Sequence, residues 1–149
     1  MLPKKSKYAI KALLALAKNY NGLKPLAISE IAETEKIPRK FLEAILLELR
    51  HQGIVKSKMG PTGGYYLTKH PEEVMLSTII RSTGGPIALL PCVSLNFYER
   101  CEECKDEETC GLRDVVLEVR EASIKILSKT SLSDILKREK KLMKKYGLQ

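Results

Sequence analysis

The chain has 149 residues, 44% of them apolar and 30% charged, which suits one soluble domain with room for a dimerisation element and excludes a disordered or fibrous chain. Aromatics make up 5% and tryptophan is absent, so aliphatic helix packing is expected to carry the core. The formal net charge is +8, and residues 1–70 hold thirteen Lys or Arg against five Glu, whereas residues 71–149 hold thirteen of each sign. That asymmetry points to a polyanion as partner of the first half, against the plainer reading of a solvated lysine-rich face.

From Tyr8 to Ala17, "YAIKALLALA" is apolar nearly all round and reads as a buried first helix, broken by Gly22 and Pro25. Ser29 is the expected N-cap of a short second helix, "EIAETEK". After a joint containing Ile37 and Pro38 comes "RKFLEAILLELRHQG", where Leu42, Ile45, Leu46 and Leu49 recur at helical spacing and Gly53 stops the helix. Arg39, Lys40, Glu43 and Arg50 fall on its other side. Two short helices joined tightly, the second with a polar outer face, make a helix-turn-helix pattern. "IVKSKMGPTGGYYLT" then reads as a β-hairpin, with GPTGG as its turn, in the position of a wing.

"PEEVMLSTIIRSTGG" is expected to form a short helix closing this domain. Leu112, Val115, Val116, Val119, Ala122, Ser123, Ile126 and Leu127 form a helical stripe roughly 25 Å long. So small a chain has little left to cover it, so a partner subunit is the expected cover; packing back on the N-terminal domain is the alternative. Ser131 and Asp134 suit a capping box opening a last amphipathic helix that ends in lysines. The expected units are 1–83, a winged helix-turn-helix domain; 84–111, a cysteine-rich loop; and 112–149, a dimerisation helix with a C-terminal helix. The fold class is mostly α with a small β-hairpin wing.

Charges run through the apolar part of the N-terminus, and the longest uncharged run, Ser82 to Tyr98, is interrupted by Gly84, Gly85, Pro86 and Pro91. Neither reads as a signal or a membrane span, so a cytoplasmic protein is expected. In that compartment four cysteines within "CVSLNFYERCEECKDEETC" suggest soft-metal or thiol chemistry over structural disulfides. Cys92, Cys101, Cys104 and Cys110 suit an iron–sulfur cluster, of 2Fe–2S or 4Fe–4S type, or a structural zinc ion. A metal-free disulfide switch between Cys101 and Cys104 is a further alternative. Glu99, Glu102, Glu103, Asp106, Glu107 and Glu108 are expected to raise neighbouring thiol pKa values, which counts against it. A CxxC thiol–disulfide oxidoreductase is disfavoured, since no βαβ pattern surrounds the motif.

Along nearly its whole length the chain resembles the Rrf-type winged-helix transcriptional regulators, the group that includes IscR and NsrR. The resemblance rests on "YAIKALLALA", "ISEIAETEKIPRKFLEAILLELRHQGIVKSKMGPTGGYYLTKHPEEV" and "TSLSDIL". It implies no enzyme but a DNA-binding homodimer, a repressor by expectation, whose long C-terminal helices cross. A cluster-binding loop would sit just before that helix. It places Arg39, Lys40 and Glu43 in the major groove. Lys56, Lys58 and the turn with Pro61, Thr62 and Gly63 would lie along the backbone or minor groove. Many relatives carry arginine before the wing's Gly-Pro, where this chain has Met59, so only Lys58 is left for a phosphate contact. The interval from Cys104 to Cys110 matches the relatives' last two ligands, and Cys92 their first. A histidine that completes the set in some relatives is replaced here by Arg113, which leaves Cys101, Glu107 or a partner carboxylate. His51 and His70 read as helix-end and loop residues.

Overall fold

The protein is described by a computed structural model covering residues 2–20 and 24–148; Gly22, expected to help break the first helix, lies outside the described residues. Its elements run α1 (Lys4–Lys18), α2 (Ile28–Glu35), α3 (Arg39–His51), β1 (Val55–Lys58), β2 (Gly64–Leu67), α4 (Leu76–Gly84), α5 (Gly111–Leu127) and α6 (Leu132–Lys145), with a single 3₁₀ turn at Pro91–Val93. No described helix is long and apolar enough to cross a membrane.

The core gathers around α1, which buries Ala9, Ala12, Leu13 and Leu16, with Leu42, Ile45, Leu46 and Leu49 of α3 set against it. Val55, Leu67 and Ile79 complete the same core. The α3 stripe predicted from its spacing is therefore the buried one. Where α1 meets α4 the helices touch closely. A Cβ on Gly84 would stand 2.0 Å from Ser6 Oγ, and the buried Thr83 hydroxyl lies 3.1 Å from that same oxygen.

The turn between α2 and α3 closes through backbone geometry, and the Lys11 ammonium of α1 donates to the Glu35 carbonyl at its start. Lys36 adopts φ 53°, the peptide N–H of Ile37 donates to the Ala32 carbonyl at 3.0 Å, and Ile37 is buried in the core. Ser29 is not the N-cap of α2: the helix begins two residues earlier than expected, at Ile28, with Ala27 before it and no side-chain cap. The reason is tertiary. Leu26 pairs with Tyr65 of β2 through two backbone hydrogen bonds of 2.8 and 2.9 Å, which ends extended chain at Ala27 and lets the helix start there.

The hairpin pairs Val55 with Leu67 and Lys58 with Gly64. Gly64 cannot carry a side chain, because its Cβ would come within 2.2 Å of the Leu26 carbonyl oxygen. Thus the wing is stitched to the segment leading into α2 as well as to its own second strand.

The C-terminal helices pack unequally. The capping box expected at Ser131 and Asp134 is present, with the Asp134 N–H to Ser131 Oγ at 3.1 Å. Leu132 is fully buried in the N-terminal core, and Ile135 and Leu136 pack against it. Backbone bonds from Leu76 N–H to Thr130 O (2.9 Å) and Leu132 N–H to Val74 O (3.0 Å) fasten this joint ahead of α4. Along α5, by contrast, Val116 alone is buried. Leu112, Val115, Val119, Ala122 and Ile126 are exposed, so the predicted stripe divides between a face covered by its own chain and a face left open.

Candidate nucleic-acid interface and cysteine loop

Helix α3 lies across the molecule with its apolar stripe inward, and this turns Arg39 and Lys40 outward at its first turn and Glu43 one turn on. The Arg39 guanidinium donates to the Glu43 carboxylate at 3.1 Å, so Glu43 is partnered on the same helix face. A concave groove runs from here to the wing, walled by Arg39, Arg50, Ser57, Lys58 and the turn from Gly60 to Gly64. Its far side is the start of α2, residues 27–29. Of the sequence-predicted residues, Arg39, Lys58, Pro61 and Gly63 come together in the groove. Thr62 stands exposed at the wing tip, Lys40 and Lys56 lie exposed outside the groove walls, and Met59 projects with 90% of its surface in solvent.

Arg50 had not been singled out for this surface, yet it closes the groove at the other end of α3, donating to Ser57 Oγ at 3.2 Å. Its sequence signal is plain afterwards. Eleven residues is close to three helical turns, so Arg39 and Arg50 share one face roughly 16 Å apart along the axis. Three cations, a wing hydroxyl and the uncapped amide end of α2 line one cleft. That is an array of donors suited to phosphate oxygens.

The cysteines occupy the loop between α4 and α5. Cys92, on the 3₁₀ turn, is buried with Val93 against Val116 of α5, and the half-buried Cys101 packs on the same group. The turn is held by Arg120 of α5, whose Nη1 donates to the Val93 carbonyl at 2.6 Å. Glu107 acts as a staple: it accepts from the Tyr98 hydroxyl at 2.7 Å and from the Cys101 peptide N–H at 3.3 Å. The Tyr98 bond holds the Glu107 carboxyl below the usual range and pushes the phenol up.

Cys110 is the N-cap of α5, its Sγ accepting the Arg113 peptide N–H at 3.4 Å. That bond, together with one shared with the Cys104 thiol, lowers the Cys110 pKa. Cys104 is raised by the neighbouring Cys110 thiol, while its own Sγ donates to the Asp106 carbonyl at 3.4 Å. The expectation that surrounding acids raise the thiols therefore fails at Cys110, which backbone donors at a helix N-terminus lower, and at Cys104 the raising group is the Cys110 thiol. For the alternative of a Cys101–Cys104 switch, the structure offers a second candidate pair, since the Cys104 thiol interacts more strongly with Cys110 than with Cys101. Among the described residues no three His, Cys, Asp or Glu side chains form a ready metal cage. The donor chemistry nevertheless fits a thiolate-bound cluster. Among the described residues one buried donor, Arg113 Nε, has no partner, on the residue whose peptide N–H is directed at Cys110 Sγ, so an unused donor is available to a sulfur-rich group.

A helix-turn-helix with a stitched wing and a cationic groove between them defines a winged-helix DNA-binding protein. Comparison with known proteins narrows this. The model of the Rrf2 family, described as an iron-dependent transcriptional regulator, matches residues 2–138. The chain belongs to that family and is a DNA-binding transcriptional regulator. It is 44% identical over 138 residues to an rrf2-like HTH-type transcriptional regulator of Rhodobacter capsulatus, covering 91% of this chain and 92% of the relative. It is 30% identical over 152 residues to the HTH-type transcriptional regulator NsrR of Oceanobacillus iheyensis, covering 99% and 97%. Among solved structures, CymR, the global cysteine regulator of Bacillus subtilis, superposes with a TM-score of 0.73 at 29% identity, covering 91% of this chain and 95% of that one.

Proposed function

We propose that the chain works as a cytoplasmic homodimer that represses by occupying a pseudo-palindromic duplex site, with its DNA affinity set by an iron–sulfur cluster on the cysteine loop. Two heads would dock with half-sites about one helical turn apart. Arg39 and Lys40 would reach into the major groove, with Glu43 beside them. Arg50, Lys58 and the wing turn would hold the backbone. The family's description as iron-dependent supports the metal side of the reading.

Cys92, Cys101, Cys104 and Cys110 would hold the cluster, which supplies redox-active iron bridged by sulfide. The observation that carries the proposal is that Cys110 is both a loop thiol and the N-cap of α5. A change in what Cys110 binds therefore acts on the first turn of the helix whose open face, from Leu112 to Ile126, would meet the partner. Head spacing and cysteine state then share one mechanical element, and the signal is the difference in DNA-binding free energy between the two states.

The test is to purify the protein without oxygen, record its visible absorption with iron, sulfide and zinc contents, and titrate an operator fragment with loaded and metal-free protein at several salt concentrations. A brown protein whose two forms differ in affinity supports the proposal. Equal affinities of the two forms would sink the sensing half, and a colourless protein with one zinc per chain would replace it with a structural site. A second reading, a thiol switch, is favoured by the interaction of the neighbouring Cys104 and Cys110 thiols. It predicts an operator affinity that follows oxidation of that pair in metal-free protein.

A further inference from the structure

Among the described residues, the buried polar side-chain atoms of the cysteine loop are engaged, with one exception. Glu107 accepts from Tyr98 and Cys101, Asp106 accepts from Glu108 and Thr109, and Arg120 donates to Val93. Arg113 is the exception. It sits in the first turn of α5, and among the described residues its Nε is a buried side-chain donor with no hydrogen-bond partner. Its peptide N–H is already directed at Cys110 Sγ, and its positive charge acts on Cys110 and Glu107. A buried N–H without an acceptor is costly, so a group retained in this state is expected to find its acceptor in another form of the protein. Glu107, the acid on which it acts, already has two donors. Arg113 is already tied to a sulfur, through its peptide N–H and Cys110 Sγ.

We infer that Arg113 is a positioning residue for the iron–sulfur group: its Nε–H is reserved for a sulfur of the cluster or of a ligating thiolate. The inference rests on the cluster reading above and deepens it. Arg113 cannot ligate iron, having no lone pair to offer while protonated. Its contribution is a donor and a fixed positive charge beside a group that four thiolates make anionic. Reduction adds one more negative charge, so a neighbouring donor and cation stabilise the reduced form more than the oxidised one and raise the potential. The same contact slows loss of iron, because thiolates relieved of charge are less readily protonated and released.

The test compares the full-length wild type with Arg113→Met, which keeps length without a donor, and Arg113→Lys, which keeps charge. Each is loaded without oxygen using ferrous iron and sulfide, and both elements are counted per chain. The midpoint potential and the rate of iron release to a chelator are then measured. Metal-free samples are melted in parallel. At wild-type loading, the Met variant should show a more negative potential and several-fold faster iron release, with Lys restoring part of both. Its metal-free form should melt no lower than the wild type, since the deleted donor had no partner there. Equal potentials and release rates at equal loading overturn the inference and leave the cluster reading standing. A metal-free Met variant that melts well below the wild type overturns it too, by showing that the donor serves the fold. A wild type that takes up neither iron nor sulfide overturns the cluster reading itself, and this inference with it.

Discussion

In the proposed homodimer, replacing Ile126 with alanine should weaken association by about two orders of magnitude while leaving each subunit folded. Leu112, Val115, Val119, Ala122 and Ile126 advance along α5 by alternating steps of three and four residues, the spacing of a helix–helix seam. Ile126 exposes 61% of its surface within one subunit, so its removal creates no cavity there. Full burial of an isoleucine side chain is worth about 2.5 kcal/mol, and covering the exposed share across a seam about 1.5 kcal/mol. Two-fold symmetry counts the loss twice, giving about 3 kcal/mol, or roughly a hundredfold in the dissociation constant. Sedimentation equilibrium across a concentration series measures that constant. Thermal unfolding at a concentration where both proteins are monomeric reads the subunit alone, where a shift within about 0.5 kcal/mol is expected for an exposed site. An unchanged dissociation constant would remove α5 from the interface. A large loss of monomer stability would show that Ile126 is covered by its own chain.

Three other outcomes follow from the groove, the wing and the cap. Arg50→Ala and Lys58→Ala should each weaken operator and unrelated duplexes alike and reduce the slope of log K against log salt by about one, measured by fluorescence anisotropy; a loss confined to the operator would mean base contacts instead. Gly64→Ala should cost more than about 2 kcal/mol in chemical denaturation, since the new Cβ meets backbone at Leu26 rather than a movable side chain. Ser131→Ala should cost about 1 kcal/mol as a lost N-cap. Asp134 is held below the ordinary aspartate range by hydrogen bonds from the Ser131 backbone and hydroxyl. Its contribution is therefore present above the unfolded-state pKa and lost as pH falls through the lower folded value. Asp134→Asn should flatten that acid limb of the stability profile, and an unaltered limb in urea titrations would contradict the assignment.

Much of the fold was legible because it is written in local periods. Leu42, Ile45, Leu46 and Leu49 announce α3 at helical spacing, and they are the residues it buries. The turn residues of the wing and the Ser131–Asp134 box are likewise short-range chemistry, and both are found where expected. The start of α2 was misread for the opposite reason. Its boundary is set by Leu26 bonding to Tyr65, thirty-nine positions further on, and no local rule carries that information. Within the cysteine loop the sequence announced donor chemistry but not pairing. Cys104 interacts with Cys110 rather than with its CxxC neighbour, and backbone N–H groups at the start of α5 lower the Cys110 thiol where the nearby acids suggested a rise.

What the amino-acid order determined alone was the set of elements, the cationic first half and the concentration of thiols ahead of one helix. These follow from spacing and charge within a few turns of chain. Tertiary structure decided which residues share a surface. It set Arg50 opposite the wing beside Ser57, seated Leu132 in the N-terminal core while leaving Ile126 open, and left Arg113 Nε buried without a partner. Such juxtapositions depend on how separate helices cross. That crossing is settled by packing over the whole core, so it cannot be read from any one segment.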